Sequence, residues 1–463
     1  MNKKVILAIA SMGIFVEALD IAIVNLALPV IEKDLGLTNE SSYKLQSGYV
    51  LIYGCFLILG GKLSDYLGRK NIFLAGSIIF LLTSLGAGLS STFEALLTFR
   101  LLQGLGAALL MPSAFSIVNY YFTDSYERSK AIAIFGSFAA TGSAAGLSVG
   151  GIIASYWGWS WIFLINIPVL LVIIFIAYIH LEKDTKATTG KPDIPSAIAL
   201  VVSMLSLTWV TELLAKTPDK WLDILLSFTA FILSGYYLYR RLRKQPVPLI
   251  NLQLFALSSL RKGNLLFLLL GALFSGYLFL MSFLVQHNFN FSAAKAGFLM
   301  MPFNILSILI GRFGIPVLSL KLSPKKIASL GALAMLTGAF SLVMAVQYNH
   351  LFFLLTGGAL IAGVGMTLCF TAYSVIAMEK VPVEHLGVGG SLTNTAYFLG
   401  GGIGLPLLSA FMSQDTGKLN SIPLMILMIF ALCSILVLLM RPNNKIKQSI
   451  EAAIQVQKRK DLN

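Results

Sequence analysis

Apolar residues along this chain come in long, nearly unbroken blocks set apart by short polar breaks. That is neither the period-two alternation of a half-buried strand nor the narrow apolar stripe of a soluble amphipathic helix. Fourteen blocks predict fourteen helices, over 5–31, 45–64, 72–90, 94–120, 131–155, 159–180, 194–214, 222–239, 264–286, 294–318, 327–347, 351–379, 386–412 and 421–440. Most reach about 20 residues, enough for a helix to cross ~30 Å of hydrocarbon. Block 45–64 is polar at its start, but Tyr49 to Gly61 is continuously apolar. The opening run stays apolar through Val30 past Glu17 and Asp20, so it reads as a first span rather than a cleaved leader.

Composition agrees with lipid as the solvent. Hydrophobic residues make up 57% of the 463-residue chain and charged residues 12%, and the mean hydropathy is +0.83. The net charge of +14 would suggest nucleic acid in a soluble protein. Here it follows the positive-inside rule instead. With a cytoplasmic N-terminus, 26 of the 34 Lys and Arg residues fall in cytoplasmic segments and 6 outside, while Arg100 and Arg312 lie within spans. Omitting or adding a span would scramble this alternation, so both termini are placed in the cytoplasm. Cys55, Cys369 and Cys433 lie inside apolar blocks and imply no disulfide framework.

Two longer loops, 181–193 and 240–263, bracket spans 7 and 8. Within the second, Pro248 to Phe255 is amphipathic and predicts a short helix on the inner membrane surface. The layout is an all-α polytopic membrane protein: a six-helix bundle over 1–180, linkers with inserted helices 7 and 8 over 181–263, a second six-helix bundle over 264–441, and a basic cytoplasmic tail over 442–463. Gly142, Gly146 and Gly150 recur every fourth residue in span 5, as do Gly400 and Gly404 in span 13, the small-residue spacing of closely packed helices. Leu318 to Lys326 resembles a worn copy of the loop Gly61 to Lys70, with Leu320 where Asp65 sits. Such paired features fit two halves related by an internal repeat.

A carboxylate at membrane depth is a functional candidate by default. Glu17 and Asp20, spaced i, i+3, share a face of span 1, with Asn25 within an arc of about 140°. Asp20 lies ~22 Å along the helix from Val5, and Arg100 lies ~9 Å from the outer end of span 4, at depths where the two can meet. Gln103 adds a polar group one turn from Arg100. These residues predict a proton-coupling pair, Asp20 with Arg100, and a second acid, Glu17, for a cationic substrate or another proton. A static buried pair that only fixes helix packing is the alternative. Glu17, Asn25, Gln103, Asn304, Asn394 and Tyr397 are candidate substrate contacts; Asn304, Asn394 and Tyr397, with Met301, Phe303 and Phe398, are candidates to line a central cavity, or else helix-packing residues. Glu212 is expected at the outer interface. Arg312, ~27 Å into span 10, is expected to reach the inner interface. His180, His287, His350 and His385 fall at span ends or loops, which argues against a histidine relay. Gly146-Leu147-Ser148-Val149-Gly150 satisfies a hydrolase expression but lies inside an apolar helix, not a strand-to-helix elbow. There is no Walker A sequence and no His-Glu-x-x-His. No catalytic or metal site is expected.

Several segments carry a family resemblance. Gly61-Lys62-Leu63-Ser64-Asp65-Tyr66-Leu67-Gly68-Arg69-Lys70 resembles the loop signature of the major facilitator superfamily, through Gly61, Asp65, Gly68, Arg69 and Lys70. Leu19 to Pro29 resembles the first-span signature of its fourteen-span drug–proton antiporter branch, the QacA/EmrB type. Arg100 to Ala108 resembles the fourth-span signature, and Gly142 to Gly151 the antiporter signature, through Gly142, Gly146, Gly150 and Gly151. Gly158 to Pro168 resembles the span that follows. The chain departs from the branch at Leu147, Ser160, Ile21 and Lys44, where Pro, Arg, Thr and Trp are usual. The resemblance implies the major facilitator fold, two six-helix bundles related by a pseudo-two-fold axis. It also implies a secondary transporter that exports drug-like, amphipathic or cationic molecules against protons by alternating access. It implies no cofactor, the proton gradient as energy source, and a place in the bacterial cytoplasmic (inner) membrane. The implied partners are substrate, protons and lipid, with no nucleic acid, and a periplasmic adaptor where the host has an outer membrane. A facilitator or importer of a metabolite within the superfamily, or more remotely a membrane-embedded enzyme, is the alternative.

Overall fold

A computed structural model describes residues 3–37, 39–182, 192–216, 220–246, 248–382, 386–412 and 419–440. The expected basic tail 442–463, most of the loop 181–193, and His385 lie outside the described residues. The long helices are α1 (Lys3–Asp34), α2 (Asn39–Leu67), α3 (Arg69–Gly88), α4 (Phe93–Tyr121), α5 (Ser125–Tyr156), α6 (Ser160–His180), α7 (Ile194–Lys216), α8 (Trp221–Lys244), α9 (Ser258–Asn288), α10 (Ala293–Lys321), α11 (Pro324–Tyr348), α12 (Leu351–Met378), α13 (Leu386–Ser409) and α14 (Ile422–Leu439). Among the described residues, 13 of these are long and apolar enough to cross a membrane. The other, α13, is rich in Gly, carries Thr393, Asn394 and Thr395 in its first half, and packs on α2 and α9.

Several helices overrun their apolar blocks because polar residues at their ends cap exposed backbone amides. Thr92 accepts from the Ala95 amide, Asp124 from those of Tyr126 and Glu127, and Ser292 from that of Lys295. Pro324 occupies the first turn of α11, where its missing N–H costs nothing. Between α2 and α3 the turn is a single residue, Gly68, whose φ of +96° favours glycine. The sequence suggested two glycines for this turn, but Gly61 lies within helical α2.

Contacts repeat between the halves. Within the first six helices α1 packs on α5, α3 on α4 and α6, and α2 on α4; within the last six, α9 packs on α13, α11 on α12 and α14, and α10 on α12. The halves meet through α2 with α13 and α5 with α10, two contacts that a half-turn exchanges. α7 lies against α2 and α13, and α8 packs chiefly on α7. At the outer end, as fixed by the charge bias, Ala294 donates its amide to Ser155 Oγ (2.9 Å) and Gln286 donates to the Leu26 carbonyl (3.0 Å). There the outer parts of α1 and the second half share one apolar core. The inner part of the first half has a core of its own, running from Ile6 to Leu181. The α5–α10 contact therefore lies at the outer side and the inner parts of these two helices are largely exposed, while α2 and α13 stay packed inward as far as Ile58, Leu59 and Leu392.

The segment at 248–257 differs from expectation. Leu252–Ala256 forms a short 3-10 turn, and Leu249 and Leu254 are buried against Ile58, Leu59, Ala197, Leu242 and Leu260. Its apolar face meets other helices instead of lipid. Lys62 donates to the Pro248 carbonyl, which ties this segment to the end of α2. Glu212 of α7 pairs with Lys44 (2.9 Å) and accepts from the Tyr43 hydroxyl (2.8 Å), near the outer interface as expected.

Candidate functional site

Asp20 and Arg100 meet. The Arg100 Nη1 to Asp20 Oδ2 distance is 2.6 Å, and neither side chain has any exposed surface. Arg100 Nη1 also donates to Gln103 Oε1 (2.7 Å), while Gln103 Nε2 donates to Asp20 Oδ1 (3.0 Å) and Ser84 Oγ (2.8 Å). Asn166 Nδ2 completes the shell, donating to Asp20 Oδ1 at 3.0 Å. On its other side Arg100 reaches Gln46 Oε1 (3.4 Å) and the Leu45 carbonyl (3.5 Å). Its guanidinium lies 4.1 Å from the Tyr49 ring centroid and 5.8 Å from that of Phe163. Two buried charges in a low dielectric are tolerable only when paired and surrounded by hydrogen bonds in this way. Five helices, α1, α2, α3, α4 and α6, supply the residues, all from the first half.

The glycines of α5 place this carboxylate. Gly142, Gly146 and Gly150 lie against the backbone of α1 at Phe15, Leu19 and Ile23, so close that a Cβ on any of them would collide. Gly146 meets the carbonyl of Leu19, the residue before Asp20. One residue beyond the series, Gly151 meets the carbonyl of Ala293 in α10. The expected packing motif thus joins α5 both to the charged segment of α1 and to the opposite half.

Other candidates fall into two groups. Glu17 is buried one turn inward of Asp20, beside Tyr53 and within electrostatic reach of Asp20 and Tyr397. Its Oε1 has no hydrogen-bond partner. Tyr53 stacks obliquely on Phe398 (centroids 4.2 Å apart), and Phe398 touches Tyr397 (5.3 Å), so this acid sits where α1, α2 and α13 converge. Asn304, Asn394 and Tyr397 are partly exposed on α10 and α13. Gln103 and Asn25 differ. Gln103 is wholly enclosed in the Asp20 shell, and buried Asn25 donates to the Ile21 carbonyl (2.8 Å).

In the α2–α3 loop Arg69 donates to Ser116 Oγ (2.9 Å) and lies 4.4 Å from the Tyr120 ring centroid. Lys70 donates to the carbonyls of Tyr178 and Leu181. These bonds fasten the start of α3 to α4 and α6 at the inner side. Asn166 and Ser84 were missed as site residues. The available signal was weak: one Asn in an apolar run just before Pro168, and one Ser among many.

A family model described as Major Facilitator Superfamily matches residues 10–405. The cephamycin export protein CmcT of Amycolatopsis lactamdurans is 28% identical over 422 residues, covering 89% of this chain and 85% of that protein. The multidrug transporter protein MdtP of Bacillus subtilis is 29% identical over 411 residues, covering 88% of this chain and 75% of that protein. Among solved structures, a D-xylose-proton symporter superposes with a TM-score of 0.66 at 15% identity, covering 95% of this chain and 97% of its own.

Proposed function

The chain belongs to the Major Facilitator Superfamily, and from that premise we propose that it is a fourteen-span drug–proton antiporter of the QacA/EmrB type. It exports drug-like, amphipathic or cationic small molecules in exchange for protons that enter the cell. Relatives named as export and multidrug transport proteins support the direction and the cargo class. The inserted pair α7 and α8 supports the branch. The enclosed Asp20–Arg100 pair carries the reading, because a membrane-buried acid with one adjustable cation is a proton switch with no route to solvent in this state.

The cycle follows from the contacts. Ionised Asp20 is held by Arg100, Gln103 and Asn166. A proton arriving on Asp20 removes the charge that holds Arg100, and the three donors are free to rearrange. Because α1 rests on α5 at Leu19 and α5 rests on α10 at Ala293, a shift at Asp20 is passed to the contact between the halves. The halves then rock about the bound substrate, which Glu17 and the Tyr53–Phe398–Tyr397 cluster hold between α1, α2 and α13. The proton gradient is the energy source, and no cofactor takes part.

Proteoliposomes with an imposed pH gradient and ethidium as the probe test this. Wild type should move ethidium against its gradient, and Asp20→Asn should retain ethidium exchange at equal pH but lose accumulation driven by the gradient. Full gradient-driven accumulation by Asp20→Asn would end the proton role, and no ethidium movement by wild type would end the export reading.

A further inference from the structure

Arg312, expected to reach toward the inner interface, has features that suit it to a further role. α10 runs on to Lys321, so Arg312 lies about 13 Å along the helix from its inner end, and its side chain is exposed. It sits within a π-helical turn, Ile310–Gly314, a feature frequent at functional sites. Three faces of α10 can be told apart. Phe303, Leu306, Ser307 and Gly311 meet α12, with Ser307 Oγ 2.6 Å from Thr367 Oγ1. Phe298, Ile305, Leu309 and Phe313 form an exposed apolar face suited to lipid. Ala293, Ala294 and Gly297 meet α5. Followed inward at helical spacing, the α5-facing stripe continues through Met301, Asn304 and Ile308. The wider π turn then brings Arg312 into the same line. Below Gly297 this stripe runs on past the α5 contact and is open, with Met301 and Ile308 40% and 46% exposed.

Among the described residues no carboxylate pairs with this cation. Between Asp223 and Glu379 the sequence contains no Asp or Glu, and the opposing stretch of α5, residues 131–156, has none either. Arg312 makes no hydrogen bond or ion pair among the described residues, and its guanidinium lies 5.8 Å from the Phe313 ring centroid. Two turns outward on its stripe, Asn304 Nδ2 is buried without an acceptor. A cation at membrane depth is costly unless it meets water or an anion, and such a residue is a functional candidate by default.

We propose that Arg312 is a substrate-binding residue of the second half that pairs with an anionic group, a carboxylate or sulfonate, on the exported molecule. Asn304 offers a neutral donor to the same ligand. Together with Glu17 of the first half, Arg312 would let the protein take zwitterionic as well as cationic amphiphiles. The proposal deepens the export reading and rests on it. A guanidinium donates to a carboxylate through two parallel N–H groups, a geometry that neither lysine nor glutamine reproduces.

Two dyes test it: anionic carboxyfluorescein and cationic ethidium, with wild type, Arg312→Gln and Arg312→Lys in vesicles of neutral and of anionic lipid. Arg312→Gln should lower carboxyfluorescein transport and binding, the latter read by fluorescence anisotropy on the purified chain, by about tenfold or more, as expected for one lost charge-assisted contact. Arg312→Lys should fall between, and ethidium should change less than twofold. Equal loss of both dyes, unchanged carboxyfluorescein binding, or an effect confined to anionic-lipid vesicles would overturn the assignment. If wild type moves neither dye, the export reading fails, and the anisotropy titration still decides whether Arg312 holds the anion.

Discussion

In the first half α5 presents Gly142 and Gly146 to the backbone of Phe15 and Leu19 in α1; in the second, α13 presents Gly400 and Gly404 to Leu268 and Ala272 in α9. Carried along the two helices, this shared register pairs Glu17 with Leu270 and Asp20 with Leu273, both leucines fully packed. A second register agrees. Gly76 of α3 faces Gly106 of α4, and Gly331 of α11 faces Gly365 of α12, which sets Arg100 opposite the π-helical turn Ala359–Gly365. One scaffold thus buries a charged network in one half and aliphatic side chains in the other. Helix packing here does not require the network, so its retention in one half points to work other than holding the fold.

Three substitutions that carry one half toward the other separate these roles, from the largest expected effect downward. Asp20→Leu copies the residue at the matching place in α9. It should abolish pH-driven accumulation, a loss of at least about 100-fold, or ~2.7 kcal/mol in rate terms. The unpaired Arg100 charge destabilises this variant, and removing it as well should restore the stability. Thermal unfolding in detergent should therefore show Asp20→Leu/Arg100→Leu close to wild type and Arg100→Leu alone destabilised by about 3–5 kcal/mol, the cost of leaving one buried charge unpaired. If the double variant is no more stable than Arg100→Leu, the network is part of the scaffold after all. Leu273→Asp makes the converse change and should cost as much as Arg100→Leu, because no cation lies at the matching place in α12.

Asn166→Ala is milder. It removes one of the donors to Asp20 Oδ1 and leaves Gln103 and Arg100 in place. A hydrogen bond to a charged group is worth about 1.5–3 kcal/mol, so the variant should fold, keep substrate exchange, and lose roughly tenfold in proton-driven rate. An unchanged rate would remove Asn166 from the coupling group.

How much of this was legible beforehand depended on the kind of signal. Asp20, Arg100 and Glu17 stood out because charges in apolar blocks are costly, and helical rise alone put Asp20 and Arg100 at compatible depths. Fourteen helices were recoverable because the apolar blocks marked them and the charge bias independently counted the crossings, including α13, the most weakly apolar by hydropathy. Asn166 was not legible as a site residue, since its role depends on how the start of α6 meets α1, a contact across most of a bundle. The side on which Arg312 lies was hidden for a different reason. A π turn rotates everything beyond it, and no residue pattern in Ile310–Gly314 announces that turn. The surface helix expected at 248–255 failed because an apolar face does not say whether lipid or protein will cover it.

The inserted pair offers the smallest effect and a clean pH test. Asp193, just before α7, accepts from Ser196 and pairs with Arg241 of α8 at 2.7 Å, and the Lys62 ammonium lies within electrostatic reach. Burial raises its pKa, but the Ser196 hydroxyl and the Arg241 guanidinium outweigh burial and hold the carboxyl below its usual value. A depressed carboxylate pKa stabilises the folded form at pH values above the unfolded pKa of ~3.9, and that contribution is lost as pH falls through the folded value. The stability advantage of wild type over Asp193→Asn should therefore be flat from pH 8 to about pH 5 and shrink only below ~4. Because α7 and α8 lie outside both six-helix halves, proton-driven transport by this variant should stay within about twofold of wild type, a difference of ~0.4 kcal/mol. A larger loss would show that the inserted pair takes part in the rocking of the halves, and the comparison would then need three moving parts instead of two.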